Sequence, residues 1–308
     1  MKALRIGTRG SLLAKWQAEN VRKQLFALAG VDAEIIIIKT AGDKLQAAPL
    51  TEIGGKGIFI KELEEALLDE GIDLAVHSVK DIPTDTPSRL CFPAVCKRAD
   101  VRDCLVSANG VTLANLRQGA RIGTGSLRRQ AQLLHVRPDL DFRDLRGNVD
   151  TRLRKVDSGE YEAILLAKAG LDRLGLSQRI AETLSTDVCM PAVGQGAIAV
   201  ETRLKDAEIA DVVGKLDDLE TRTAIIAERA LLAALQGGCQ VPLGAWARME
   251  RGELVMEACV CSADGGRCIK ERASGAAEYA AALGEALARQ LMDAGALEIL
   301  QAVGRQRG

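Results

Sequence analysis

Arginines crowd residues 117–154. Arg128 and Arg129 stand together at a helix start, and Arg143, Arg146, Arg152 and Arg154 follow. Any one of them alone reads as part of a solvated helix face. As a group they read differently. Arg128 and Arg129 come straight after the turn Gly123-Thr124-Gly125-Ser126, where the N–H groups of a helix start already favour anions. Cations placed there oppose the helix dipole and cost stability unless an anion lies between them. Guanidinium groups grip carboxylate or phosphate through paired, forked hydrogen bonds. The pattern predicts a polyanionic ligand. Nucleic acid fits poorly: aromatic residues are 3% of the chain, the formal net charge is -1, and no recognisable nucleic-acid module is present. Gly54-Gly55-Lys56-Gly57 does not match the phosphate-binding GxxxxGK[ST] loop. On these residues alone, phosphorylated metabolites stay open as ligands.

Two further segments bear chemistry. Val76-His77-Ser78-Val79-Lys80-Asp81-Ile82-Pro83 ends a strand of an α/β domain, the end at which such sheets bind ligands. Pro83 disfavours helix for the residue before it, so Asp81 lies in a turn rather than a long helix. A carboxylate there, beside Lys80, serves either in acid–base or charge-stabilising chemistry or as a simple turn cap. In Gly237-Gly238-Cys239-Gln240-Val241-Pro242, two glycines put the thiol on a tight loop where it is accessible and reactive. The other seven cysteines read as reduced, mostly buried core residues. There is no CxxC pair, and His77 and His135 are remote in sequence from one another and from any cysteine pair, so no metal site is expected.

These residues need a scaffold, and hydrophobic periodicity supplies one. Residues 3–7 read as a strand, Gly7-Thr8-Arg9-Gly10 as a turn, and Ser11 as the N-cap of a helix over 12–29. The β-branched run Ile35-Ile36-Ile37-Ile38 predicts a buried strand, with a helix near 59–70 and a strand over 72–77. Arg121-Ile122-Gly123-Thr124-Gly125-Ser126 echoes Arg5-Ile6-Gly7-Thr8-Arg9-Gly10-Ser11, which suggests two similarly built α/β domains. A strand is expected at 161–167, and a loop and strand over 191–200 that returns the chain to the first domain. After residue 216 the pattern changes: a helix over 219–236 capped by Gly237-Gly238, strands near 241–248, 253–262 and 267–274, and an Ala-rich helix over 277–294. The predicted fold class is α/β, two domains with mixed, largely parallel sheets plus a small α+β C-terminal domain. The boundaries expected are 1–97 with about 195–216, then 98–194, then 217–308. The size of 308 residues suits two or three domains. No apolar run is long enough to span a bilayer, and the first residues carry no export signal, so a cytoplasmic protein is expected.

Taken together, Gly7-Thr8-Arg9, Gly54-Gly55-Lys56-Gly57, His77-Ser78-Val79-Lys80-Asp81, Gly123-Thr124-Gly125-Ser126-Leu127-Arg128-Arg129, Leu145-Arg146-Gly147-Asn148-Val149-Asp150-Thr151-Arg152 and Gly237-Gly238-Cys239-Gln240-Val241-Pro242 resemble the porphobilinogen deaminase (hydroxymethylbilane synthase) family in order and spacing. The resemblance covers nearly the whole chain. It implies two domains like those of periplasmic binding proteins and a third that carries a dipyrromethane cofactor on a cysteine thioether, here Cys239. It implies a transferase of haem biosynthesis, active as a monomer, that removes ammonia from porphobilinogen and joins four units head to tail on that primer. Water then releases the linear tetrapyrrole. Asp81 matches the catalytic carboxylate. Lys80, Ser126, Arg128, Arg129 and Arg146 match positions that hold the cofactor, and Arg9, Ser11, Lys56, Arg152 and Arg173 match positions that hold substrate. A buried Asp81 is expected to stabilise the cation formed as ammonia leaves. Gly10, Leu12, Val79 and Gly125 depart from common family residues, and Gly125 removes a hydroxyl donor. Two rival classes remain: a non-catalytic carboxylate-binding module, which needs neither Asp81 nor a reactive Cys239, and a nucleic-acid-binding protein.

Overall fold

The computed structural model describes residues 3–40, 60–235 and 241–305. The chain forms two compact units, Met1–Ala99 with Gly196–Arg222, and Asp100–Gln195 with Thr223–Gly308.

In the first unit β1 (Leu4–Thr8) leads through α1 (Leu12–Ala29) to β2 (Ala33–Ile37); α2 (Lys61–Leu68) leads to β3 (Leu74–Ser78), and β4 (Leu90–Val95) follows. The returning strand β10 (Ile198–Arg203) and the helix Ala207–Gly214 complete it. The sheet order is β2-β1-β3-β10-β4, with β1 parallel to β2 and β3 and β10 antiparallel to β3 and β4. Leu4, Ile6, Leu74 and Val76 face α1 residues Ala18, Val21 and Leu25, while Ala75 faces Leu63 and Leu67 of α2. Both faces are covered, which is why the strands read as continuous apolar runs. Asp73 ties the sheet's base: its carboxylate accepts from Arg5 Nε at 3.0 Å and Nη2 at 2.8 Å. Burial works against that charge, but the hydrogen bonds from Arg5 outweigh it and hold the Asp73 carboxyl below its ordinary range.

The second unit repeats the plan. It contains β5 (Asp103–Ser107), β6 (Arg121–Gly123), α3 (Leu127–Val136), β7 (Asp141–Arg143), α4 (Val149–Asp157), β8 (Ala163–Ala167), α5 (Lys168–Arg173) and β9 (Glu182–Thr183). The order is β7-β6-β8-β5-β9, with β6 parallel to β7 and β8, and β5 antiparallel to β8 and β9. Thus β6 takes the place of β1, and the echo between residues 5–11 and 121–126 is one strand–turn–helix unit built twice. A side chain at Gly123 would press on Tyr161 at 2.8 Å and Leu145 at 2.9 Å, so the close approach of these layers requires glycine.

The same unit holds a second sheet, β11 (Leu243–Glu250), β12 (Glu253–Cys261) and β13 (Cys268–Gly275), antiparallel throughout. Counting the helix at Ala207–Gly214 as α6, the remaining helices are α7 (Leu219–Ala234), α8 (Ala280–Asp293) and α9 (Ala296–Arg305). The even face of β12 (Leu254, Met256, Ala258, Val260) packs on Ala227 and Leu231 of α7 and Leu287 and Leu291 of α8. Its odd face turns Cys259 and Cys261 towards Ala131 of α3 and Met190. One expectation needs correction here. Cys261 and Cys268 are joined by a disulfide, because β12 and β13 place them opposite one another, so they are not both reduced core thiols. The helix expected over 277–294 is present as a 3-10 turn at Ala277–Tyr279 and α8, and beyond Gly295 (φ 97°) the chain adds a further helix, α9. Among the described residues no helix is long and apolar enough to cross a membrane.

Candidate functional site

The residues singled out from sequence fall on both units. On the first, Ser11 caps α1, its hydroxyl accepting from Ala14 N–H at 3.2 Å. Arg9 lies half-buried in the turn before it. At the carboxyl end of β3 the chain makes one 3-10 turn, Val79–Asp81. Val79 anchors that turn in the core, Lys80 is half-buried and Asp81 is exposed. The expectation of a buried Asp81 is therefore wrong: a single turn whose first residue, Val79, is pinned in the core leaves its last side chain outside. The strand end beneath is held from two sides. Gln17 of α1, itself buried, donates from Nε2 to Ser78 Oγ at 2.9 Å. His77 Nε2 lies 3.0 Å from Glu201 Oε2 of β10, both buried. Neither Gln17 nor Glu201 was picked out from sequence; polar residues inside otherwise apolar patterns were the available signal.

On the second unit, Ser126 caps α3 through a bond from Arg129 N–H at 3.5 Å. Arg128 and Arg129 do not project outwards. They are 4% and 6% exposed and close on one carboxylate, Asp103 of β5, which is fully buried. Arg128 Nη1 lies 2.7 Å from Asp103 Oδ2, and Arg129 Nη2 lies 2.7 Å from Oδ1. Arg128 Nη1 also donates to Met190 O at 2.5 Å, and Arg129 Nη1 to Leu165 O at 3.0 Å. Gln195 Nε2 donates to Asp103 Oδ1 at 3.0 Å and to Val101 O at 2.7 Å. Burial alone would raise the Asp103 carboxyl, but the two guanidiniums overcome it and hold it well below its ordinary range. The same burial pushes the neighbouring Cys189 thiol up to about 12, which disfavours its thiolate.

This corrects one inference from sequence. The anion required between Arg128 and Arg129 is supplied by the chain itself. Asp103 lies 25 residues before Arg128 and is paired only by the fold; a charged residue opening the apolar strand Asp103–Ser107 was its trace in the sequence. Two guanidiniums on one carboxylate still leave a net positive charge in a dry setting, beside the capped start of α3.

Arg146 and Arg152 flank Gly147, whose φ is 104°. Arg146 Nε donates to Asp144 at 2.8 Å, and Arg152 Nε to Gly147 O at 2.7 Å. Both are half-buried, as is Arg173 at the end of α5. Arg143 and Arg154, by contrast, are exposed and pair with Asp141 and Asp150 on the surface. Of the six arginines, two thus line one loop, two serve the interior and two face the solvent. Lys56 and Cys239, with the loops Gly54-Gly55-Lys56-Gly57 and Gly237-Gly238, lie outside the described residues.

Residues 4–211 match the family model described as "Porphobilinogen deaminase, dipyromethane cofactor binding domain", and residues 222–293 match "Porphobilinogen deaminase, C-terminal domain". The porphobilinogen deaminase of Syntrophotalea carbinolica is 52% identical over 302 residues, 98% of this chain and 96% of the relative. That of Geobacter sulfurreducens is 47% identical over 304 residues, 98% of this chain and 95% of the relative. Among solved structures, the methionine-binding protein MetQ aligns with 70% of this chain and 88% of its own at 14% identity and a TM-score of 0.44, a likeness too loose to bear on function.

Proposed function

Because the chain belongs to the porphobilinogen deaminase family, we propose that it condenses porphobilinogen units into a linear tetrapyrrole on a dipyrromethane primer carried by Cys239. The observation that carries this reading is the donor set on the second unit. Each pyrrole unit bears an acetate and a propionate, so primer and product are polycarboxylates. A buried cluster with net positive charge at Asp103, Arg128 and Arg129, the hydroxyl of Ser126, and Arg146 and Arg152 around Gly147 fit such a group without calling on phosphate. When bound, the dipyrromethane supplies the pyrrole carbon to which substrate is joined.

The protein's own groups do the rest. Lys80, Ser126, Arg128, Arg129 and Arg146 hold primer carboxylates; Arg9, Ser11, Lys56, Arg152 and Arg173 hold substrate carboxylates. As ammonia departs from the aminomethyl carbon, positive charge develops on the substrate ring, and Asp81 faces that charge and accepts from the pyrrole N–H. The exposure of Asp81 leaves it accessible to a ligand, and Gln17, through Ser78, and His77 with Glu201 fix the strand end from which it projects. After carbon–carbon bond formation a proton leaves the ring carbon that attacked, and the next cycle begins.

We also propose the three-domain division at about residues 97, 194 and 216, a monomeric state and a cytoplasmic location. A non-catalytic carboxylate-binding module would keep the arginines but tolerate loss of Asp81. The experiment is Asp81→Asn and Asp81→Glu in protein reconstituted with preformed primer. Losing preorganised charge stabilisation costs about 3–4 kcal/mol, roughly a hundred- to a thousandfold in rate. Asp81→Asn is expected to lose that much turnover and Asp81→Glu less, with folding unchanged because the side chain is exposed. Turnover by loaded Asp81→Asn near the unsubstituted rate refutes the assignment.

A further inference from the structure

The odd face of β12 and the start of β13 hold three sulfurs that the proposed reaction does not use. Cys259 and Cys261 alternate onto that face, and Cys268 of β13 stands opposite Cys261. Ser262 N–H donates to Arg267 O next to this pair. Cys261 and Cys268 therefore occupy a non-hydrogen-bonded position, where strands approach most closely, and their Cα atoms are 4.1 Å apart. All three Sγ atoms lie within 4.8 Å of one another. Cys259 and Cys261 are wholly buried, and Cys268 is half-exposed. The expectation of no metal site rested on the missing CxxC pair; the alternation of a strand and the register of a hairpin bring the same atoms together.

We propose that Cys259, Cys261 and Cys268, once the Cys261–Cys268 bond is reduced, form a three-thiolate site for a soft d10 metal ion, copper(I) in particular. Thiolate sulfur selects copper(I) and zinc over harder cations. Structural zinc sites use four protein ligands, whereas the group of His, Cys, Asp and Glu side chains gathered here numbers three among the described residues. Three sulfurs within 4.8 Å of one another suit the trigonal geometry of copper(I). Cys268 gives an approach from solvent, and Ala131 and Met190 close the buried side. The steps balance: two equivalents of a low-molecular-weight thiol give two electrons and two protons to the disulfide and leave as their own disulfide. Metal binding then releases the three thiol protons.

The test uses the full-length, primer-loaded protein, reduced with a phosphine and titrated with copper(I) against a chelator of known affinity, with zinc in a parallel arm. One equivalent of copper(I) is expected, with three sulfur neighbours by X-ray absorption. Cys259→Ser, Cys261→Ser and Cys268→Ser should each weaken binding by about tenfold or more, and Cys91→Ser, a half-buried thiol of the other unit, should not. The oxidised protein should bind none at this site. Substoichiometric binding, or binding unchanged in Cys259→Ser with the fold intact by circular dichroism, overturns the proposal. Tighter binding of zinc with an oxygen as fourth ligand overturns the assignment to copper(I).

Discussion

Replacing Asp103 by Asn keeps the shape of the side chain and removes the one charge that joins Arg128 to Arg129. Each guanidinium makes a 2.7 Å contact with that carboxylate in a buried setting. At a charge separation near 4 Å and an effective dielectric constant of about 20, each attraction is worth roughly 4 kcal/mol. Repulsion between the two guanidiniums and the cost of desolvating three ions offset much of the sum. Removing one partner, however, leaves the desolvation cost of the others in place, and breaking such buried pairs typically costs about 3–5 kcal/mol. For a unit of this size that corresponds to a fall in Tm of about 10 °C. The pH dependence has a definite sign. The folded Asp103 carboxyl is held below its unfolded value of about 3.9, so its contribution is complete above that value and is lost as pH falls below it towards the folded one. Scanning calorimetry and urea unfolding from pH 7 down into acid should therefore show a constant gap between the natural protein and Asp103→Asn that narrows only in acid. A difference below about 1 kcal/mol at neutral pH, less than one ordinary buried hydrogen bond to a charged group, would refute the reasoning.

Other outcomes follow from the same geometry. Arg146→Leu and Arg152→Leu should impair primer assembly or elongation while Tm stays nearly constant, since both side chains are half-buried; unchanged elongation kinetics with preformed primer would count against their carboxylate role. Arg129→Leu should instead lose stability along with activity, because it removes one of the two guanidiniums that hold the buried Asp103 carboxylate; a variant with unaltered Tm would show the ion triad to be unimportant. Gly284→Ala in α8 should destabilise by about 1–3 kcal/mol by thermal melt, because the new methyl group meets the backbone of Ala227 and Leu231 in α7, an overpacking cost larger than the helix-propensity gain of about 1 kcal/mol. A rise in Tm for that variant would contradict the packing described.

What was legible in the sequence was local. Ser11 and Ser126 announce their helices because a capping hydroxyl reaches only three residues ahead, and both bonds are present. The repeated Ile-Gly-Thr motif survives as β1 and β6 because at each strand end neighbouring side chains, Ile72 at Gly7 and Tyr161 and Leu145 at Gly123, pack too close for anything but glycine. What was hidden depends on contacts distant in sequence. Asp103 meets Arg128 and Arg129 only after β5 pairs with β8, so the arginines looked as if they lacked an anion. The sulfurs of Cys261 and Cys268 meet through the register of a hairpin, which spacing rules for metal ligands do not describe. Asp81 was placed in a turn but on the wrong side of the surface, since one 3-10 turn gives little periodicity from which to read a face.

The central claim, that this chain extends a covalent pyrrole primer, is tested most directly by intact-mass spectrometry with peptide mapping. Purified protein is examined before and after a brief exposure to porphobilinogen. The expected result is a mass above that of the bare chain by one dipyrromethane, located on Cys239, and a ladder of species each one pyrrole unit heavier after exposure. A chain at its unmodified mass that forms tetrapyrrole nonetheless, an adduct on another cysteine, or a primed protein whose mass porphobilinogen leaves unchanged would contradict the account.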